Sequence, residues 1–363
     1  MKKIDSYILK KFLTTFFFCL LLFTAIVVVV DISEKTEDFV RIKFSFWQLV
    51  TNYYIGFIPH IDAMLFPLFV FISVIFFTSR MADRSEVVAI LSSGVSYRRF
   101  LFPYWIGSIF LALLLWVGYQ YTLPKANKIW GDFLTRYIDS QNSGSVDLNR
   151  PANIYFKGAD NSYIGLRSYD AIYRNGSTFF VQQFADNKLK YDLRAQSISW
   201  DTIKKQWTLN QVVEHYFTGE KERIVRTSVM KKKYDFKPED LHSDDYFKDR
   251  LTSSELNSYI NKSRLSGSEI VKSLLLEKYN RDAIPASIII LTIIAVSLAS
   301  RKTRGGSGLN LGVGVILSVL YVLSSRFSVV FAEKGNFTPW LAAWTPNIIF
   351  GALAYYLYKR AMR

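Results

Sequence analysis

Six long apolar runs, three on each side of a polar insert, constrain this chain more than any single residue does. They are Phe12–Val30, Ile61–Thr78, Phe100–Leu123, Ala283–Ala299, Leu309–Val330 and Trp340–Tyr358. A run of ~20 apolar residues is what the ~30 Å hydrocarbon core of a bilayer demands of a spanning helix. The insert, Pro124–Asp282, carries most of the acidic residues and nearly all of the two-residue alternation expected of strands. The pattern therefore predicts a polytopic α-helical membrane protein of six transmembrane helices with an all-β domain between the third and fourth.

Charge gives the orientation. The net charge of +15 would suit a nucleic-acid partner if it formed one patch, but it is divided among alternate loops. Lys2, Lys3, Lys10 and Lys11 precede the first run, Arg80, Arg84, Arg98 and Arg99 follow the second, Arg301, Lys302 and Arg304 follow the fourth, and Lys359, Arg360 and Arg363 close the chain. This is the positive-inside pattern. It predicts cytoplasmic termini, an insert on the far side of the membrane, and no nucleic-acid role. Cys19, the single cysteine, lies within the first run, so no intrachain disulfide is available to the insert. The first run is followed by no small-residue cleavage site, which reads as a retained anchor.

Along the chain, 1–123 holds helices one to three, 124–252 a β-rich domain, 253–282 a helical connection and 283–363 helices four to six. The first helix is expected to end at Asp31. Aromatics from Phe44 to Phe57 suit a segment at the headgroup level, and Pro59 and Pro67 suit breaks at the entry of the second span. Between Met81 and Gly94, apolar residues at helical spacing predict a short amphipathic helix stopped by Ser92-Ser93-Gly94. Such a helix either docks in a partner's groove or lies on the lipid surface.

Within the insert, strands are predicted at Ala152–Phe156, Ser162–Ser168, Thr178–Phe184, Lys188–Trp200, Gln206–Phe217 and Ile224–Phe236, with turns that include Asn175-Gly176 and Gly219-Glu220. Antiparallel strands without interleaved helices suggest a sandwich or jelly roll. Phe179, Val181 and Phe184 either line an apolar route or fill its core. Ser253-Ser254-Glu255-Leu256 reads as a helix start, and 301–308 as a glycine-rich linker.

No phosphate-binding P-loop, H-E-x-x-H spacing or G-x-S-x-G elbow occurs, and His60, His215 and His242 are scattered. The chain is therefore not read as an enzyme, and no cofactor or metal is expected. Arg326 falls about one turn from the outer end of the fifth run. It either snorkels to the interface or contacts an anionic headgroup, and Asp62 is a candidate partner for it. Lys35, Arg41 and Lys43 after the first run, with Lys125 and Lys128 after the third, are either solvated loop charges or phosphate ligands.

Three segments resemble one family. Arg84-Ser85-Glu86-Val87-Val88 through Ser93-Gly94, the strand Gln206-Trp207-Thr208-Leu209, and Pro339-Trp340-Leu341-Ala342-Ala343-Trp344 with Pro346-Asn347 are similar to the LptF/LptG permeases of the bacterial lipopolysaccharide exporter. The resemblance covers the whole chain. It implies a periplasmic jelly roll and a subunit without a nucleotide site. The implied partners are a second homologous permease, a cytoplasmic ABC ATPase dimer and a periplasmic bridge protein, with lipopolysaccharide as cargo. It further implies entry of the lipid between the first and fifth helices of the two permeases. Arg84, Ser85 and Glu86 would lie on the ATPase-coupling helix, and Lys35 would face lipid phosphates. The other readings are a permease for another lipid or glycolipid, and a membrane-anchored periplasmic sensor that transports nothing.

Overall fold

The structure is a computed structural model that describes residues 3–139, 154–157, 162–170, 174–185, 188–202, 204–218, 221–234, 236, 238, 247–265, 270–301 and 306–362. Its compact units are a helical one (Met1–Trp130, Asp249–Ser254 and Lys272–Arg363) and a second comprising Gly131–Lys248 and Glu255–Val271.

Helix α1, Lys3–Ile42, runs 40 residues without a break. It passes Asp31 because the polar segment beyond supports the helix from its own side chains. Asp31 pairs with Lys35 and Glu37 with Arg41, each at i,i+4, the spacing that places opposite charges on adjacent turns. Lys43, at φ 56°, takes the left-handed conformation that closes the helix. The expected end at Asp31 is thus moved by three turns.

A short helix α2 (Phe46–Leu49) and a π-helical turn at Val50–Tyr54 lead into α3, Ile55–Asp83. Phe46 and Trp47 are exposed, as an interfacial segment requires, whereas Tyr53 and Tyr54 are buried. Pro59 and Pro67 lie inside α3 rather than bounding it. Helix α4 is Glu86–Ser92, and α5 is Tyr97–Val117. A π-helical turn, Gly118–Thr122, joins α5 to α6, Leu123–Phe133, so helix continues about three turns into the segment expected to be β-rich. Gly56 is required where α3 meets α6. A Cβ there would stand 2.5 Å from the Ala126 carbonyl oxygen and 2.6 Å from the Trp130 nitrogen, leaving no room for any side chain.

The short α7 is Phe247–Arg250 and α8 is Ser253–Leu265. Ser253 is a bridge as well as a helix start: it donates to Gln120 and accepts from Arg281. Helices α9 (Val271–Ala299), α10 (Gly306–Lys334) and α11 (Pro339–Met362) complete the chain. Gly306–Gly308 therefore starts a helix, while 302–305 of the expected linker lie outside the described residues.

Among the described residues, five helical stretches are long and apolar enough to cross a membrane: Lys3–Ile42, Phe46–Asp83, Tyr97–Phe133, Val271–Ala299 and Gly308–Lys334. Helix α11 is 24 residues long, but Trp340, Trp344, Thr345, Pro346, Asn347 and three tyrosines dilute its apolar character. Helix α3 is central to the bundle, packing on both α1 and α10, while α1 also meets α5 and α10 meets α11.

Among the described residues, six antiparallel strands form one sheet in the order β1 (Ile154–Lys157), β2 (Ser162–Asp170), β3 (Asn175–Ala185), β4 (Lys188–Asp201), β5 (Gln206–Thr218) and β6 (Lys221–Lys232). Every described strand pairs with its neighbour in sequence, so the arrangement is a meander. The antiparallel, strand-rich expectation holds; neither a second sheet nor a jelly-roll crossover occurs among the described strands. Asn175-Gly176 opens β3 rather than forming a turn, with Gly176 opposite Tyr169 and Ile198. The Gly219-Glu220 turn falls outside the described residues.

Ile164 faces Val181, which faces Leu193, and these join Phe179, Leu209, Val212 and Trp207 in the buried core of this sheet. Phe179 and Val181 are therefore core residues. Phe184 is on the other face, edge-on to Tyr163 at 5.6 Å, because its position in the strand has opposite parity. Within the same core Tyr191 donates to the Glu214 carboxylate at 2.5 Å, and Tyr216 donates to it at 3.1 Å. Burial and the adjacent carboxylate push the Tyr191 hydroxyl well above the usual tyrosine range, which keeps it a donor.

Candidate functional site

Two polar clusters lie near opposite ends of the most apolar part of α1. At the first, Asp31 is only 6% exposed. Its carboxylate accepts from the Tyr53 hydroxyl at 3.0 Å and from the Tyr54 hydroxyl at 3.1 Å. The Lys35 ammonium sits 3.2 Å away, also donates to the Tyr53 hydroxyl, and lies 4.8 Å from the Tyr53 ring centroid. The π-helical turn before α3 makes this possible by bringing two consecutive tyrosines onto one carboxylate. A buried carboxylate is tolerable only when its charge and lone pairs are both satisfied, and here they are.

The four cations expected to meet lipid phosphates are dispersed. Lys35 is held in the Asp31 cluster. Arg41 is exposed and within 3.7 Å of Glu37. Lys43 marks the end of α1. Arg326 is exposed on α10, its guanidinium 2.9 Å from the Met64 sulfur of α3. Asp62 accepts from Thr24 of α1 at 2.7 Å, so α1 supplies the partner that the sequence reading sought in Arg326. The Asp31–Tyr53–Tyr54 arrangement was not foreseen; the i,i+4 spacing of Asp31 and Lys35 was its signal in the sequence.

At the other end, Asp5 is buried and pairs with Arg99 of α5 at 2.5 Å. Arg84 closes α3 and Ser85, at φ 61°, turns the chain into α4. The short helix starts at Glu86, since Met81 expected in it belongs to α3, and it stops before Ser93-Gly94, where Gly94 has φ 86°. Glu86 accepts from the Tyr7 hydroxyl of α1 at 3.4 Å. Val87 is fully buried whereas Val88 is exposed, so α4 is anchored on one side and keeps an apolar side chain on the other.

Burial by the chain's own helices is uneven. Within the most apolar stretch of each span, α1 is 6% buried and α10 is 22% buried, against 61% for both α3 and α9. Phe18, Leu21 and Val29 of α1, and Ile316, Phe327 and Phe331 of α10, are among the most exposed apolar residues. In a membrane such faces meet lipid or another protein's helices.

The family model for the lipopolysaccharide export system permease LptF/LptG matches residues 6–360. The lipopolysaccharide export system permease protein LptG of Haemophilus influenzae is similar along the full chain, 21% identical over 367 residues that cover 98% of each protein.

Proposed function

The chain belongs to the LptF/LptG family of lipopolysaccharide export permeases, and from that membership we propose that it is one permease subunit of an ATP-driven lipopolysaccharide exporter. In this reading all six apolar segments cross the inner membrane, with the basic loops in the cytoplasm and the β domain in the periplasm. The subunit extracts lipopolysaccharide from the outer leaflet and passes it through a jelly-roll-like β domain to a bridge protein. A second homologous permease and a cytoplasmic ATPase dimer complete the assembly.

The observation that carries the proposal, beyond the family itself, is the uncovered state of α1 and α10. The first and fifth spans are the ones a two-permease gate would use, and they are the least buried of the five. Extraction costs ~0.8 kcal/mol for each CH₂ withdrawn from the bilayer, so a lipid with several acyl chains needs an external energy source. Helix α4, with Arg84, Ser85 and Glu86 at its start, transmits the stroke of the ATPase. Lys35, Arg41, Lys43 and Arg326 contribute positive charge for the lipid phosphates, with Lys35 available once a phosphate displaces Asp31.

Purification of tagged protein from membranes, with mass spectrometry of bound proteins and lipids, tests this. Recovery of a homologous permease, an ATPase and lipopolysaccharide is expected. A different bound lipid would favour another cargo, and a protein without an ATPase would favour the sensor. Glu86→Ala should lower lipid-stimulated ATP hydrolysis by about tenfold, the loss of ~1.4 kcal/mol expected for one charge-assisted contact. Unchanged stimulation in reconstituted vesicles would remove Glu86 from the coupling path.

A further inference from the structure

Between α1, α3 and α4 lies a cavity of about 280 Å³ lined by Lys11, Arg80, Arg84, Tyr7, Glu86 and Phe76, among others. Three cations thus face one carboxylate. Glu86 is engaged by Tyr7, and among the described residues Lys11, Arg80 and Arg84 take part in no ion pair. The neighbouring cation Arg99 differs, being held by Asp5. The cavity is therefore net cationic: Glu86 is its one carboxylate among the lining residues, against three cations that form no ion pair among the described residues.

Its wall changes character along the helix axis. Arg80 and Arg84 occupy the last turn and end of α3, while Phe76, one turn further into the apolar run, is 44% exposed. Guanidinium groups suit phosphate oxygens, which they bind through paired N–H donors. An exposed aromatic one turn deeper in a spanning helix suits a hydrocarbon chain. The two together fit a single molecule with a phosphate at one end and an acyl chain at the other.

We propose that this cavity is a binding site for the phosphate of an anionic phospholipid from the leaflet at the basic ends of the helices. The site is distinct from the path proposed for the exported lipid, and it does not depend on the identity of that cargo. Its position gives it a role: Arg84 and Glu86 flank the left-handed Ser85, so a phosphate held by Arg80 and Arg84 braces α4 against α3 and α1.

Native mass spectrometry of the full-length protein, titrated with phosphatidylglycerol and separately with phosphatidylcholine, tests the proposal. The triple variant Lys11→Gln/Arg80→Gln/Arg84→Gln should retain about a hundredfold less phosphatidylglycerol, since each basic residue near a membrane surface is worth about fivefold in anionic-lipid binding. Phosphatidylcholine retention should not change. Lys10→Gln/Arg98→Gln/Lys359→Gln removes the same charge elsewhere; an equal loss in that control would show general surface attraction and overturn the site. Displacement of the lipid by inorganic phosphate at matched concentration would assign the cavity to free phosphate instead and overturn the lipid assignment. A photoactivatable phosphatidylglycerol on the unmodified protein should label peptides spanning 7–15 or 76–86, and labelling confined to other segments would also refute it.

Discussion

Trp207→Ala should destabilise the β-sheet by about 4 kcal/mol, in the range for removing a large buried aromatic. Trp207 is fully buried. Its indole N–H donates to the Phe236 carbonyl at 3.0 Å, and its ring lies 4.9 Å from Trp200 and 5.1 Å from Phe236. Trp200 and Trp207 are opposite each other on β4 and β5, so the truncation opens a cavity beneath two strands and strips the cover from a third aromatic. Trp207→Phe should cost less, about 1–3 kcal/mol, mainly because the Phe236 carbonyl loses its partner. Hydrogen exchange on the intact protein separates the outcomes. Amides of β4 and β5 should exchange about 10³-fold faster in the alanine variant if exchange follows opening of this sheet. Protection within tenfold of the parent would mean that this cluster is not what holds the strands.

Asp31→Ala should be the most costly change in the helical unit, at about 3–5 kcal/mol, because it strands a partly buried ammonium against the Tyr53 and Phe57 rings. Asp31→Asn keeps an acceptor and should cost less. The double variant Asp31→Leu/Lys35→Met removes both charges and should recover most of the loss, as replacement of buried ion pairs by apolar groups often does. Thermal unfolding of the parent, Asp31→Leu, Lys35→Met and their double variant in one detergent forms a double-mutant cycle. Additive losses would show that the two residues do not act as a pair. The same variants bear on function: Asp31→Asn frees Lys35 and should raise its crosslinking to bound lipopolysaccharide. An unchanged yield would leave Lys35 as a purely structural cation.

Much of the fold is legible in the sequence because the bilayer imposes a length and polarity rule that few residues can escape. The apolar runs lie within helices, and the alternation of β2 to β5 locates strands to within a few residues. The errors have specific causes. Helix α1 outlasts its apolar run because i,i+4 ion pairs can sustain a helix that hydropathy would end at Asp31. The Asn175-Gly176 pair has the chemistry of a turn, but Gly176 is placed where its strand packs closely on both neighbours. Phe184 reads as sharing one register with Phe179 and Val181, but its parity sends it to the opposite face, against Tyr163.

The site was less legible than the fold. Of Arg84, Ser85 and Glu86, expected on one short helix, only Glu86 is inside α4: Arg84 closes α3 and the left-handed Ser85 separates the two. Lys35, Arg41, Lys43 and Arg326 share a sign and a depth in the sequence, yet their partners depend on which helices touch. Lys35 pairs with Asp31 locally, but Asp31 itself accepts from tyrosines 22 and 23 residues away, and Thr24 captures Asp62 across 38 residues. Pairings at such separations follow from packing and leave little trace in local pattern.

The unbroken length of α1 has a mechanical consequence. Forty residues of helix make a strut about 60 Å long, with no proline inside it to act as a joint. It is pinned near one end by Asp5 to Arg99 and toward the other by Asp31 to Tyr53 and Tyr54. A strut of that length converts small rotations into large travel: a tilt of about 5° displaces its far end by roughly 5 Å. Movement of α4 against Tyr7 would thus arrive, magnified, at the Asp31 cluster, with α1 as the lever and α3 as its bearing.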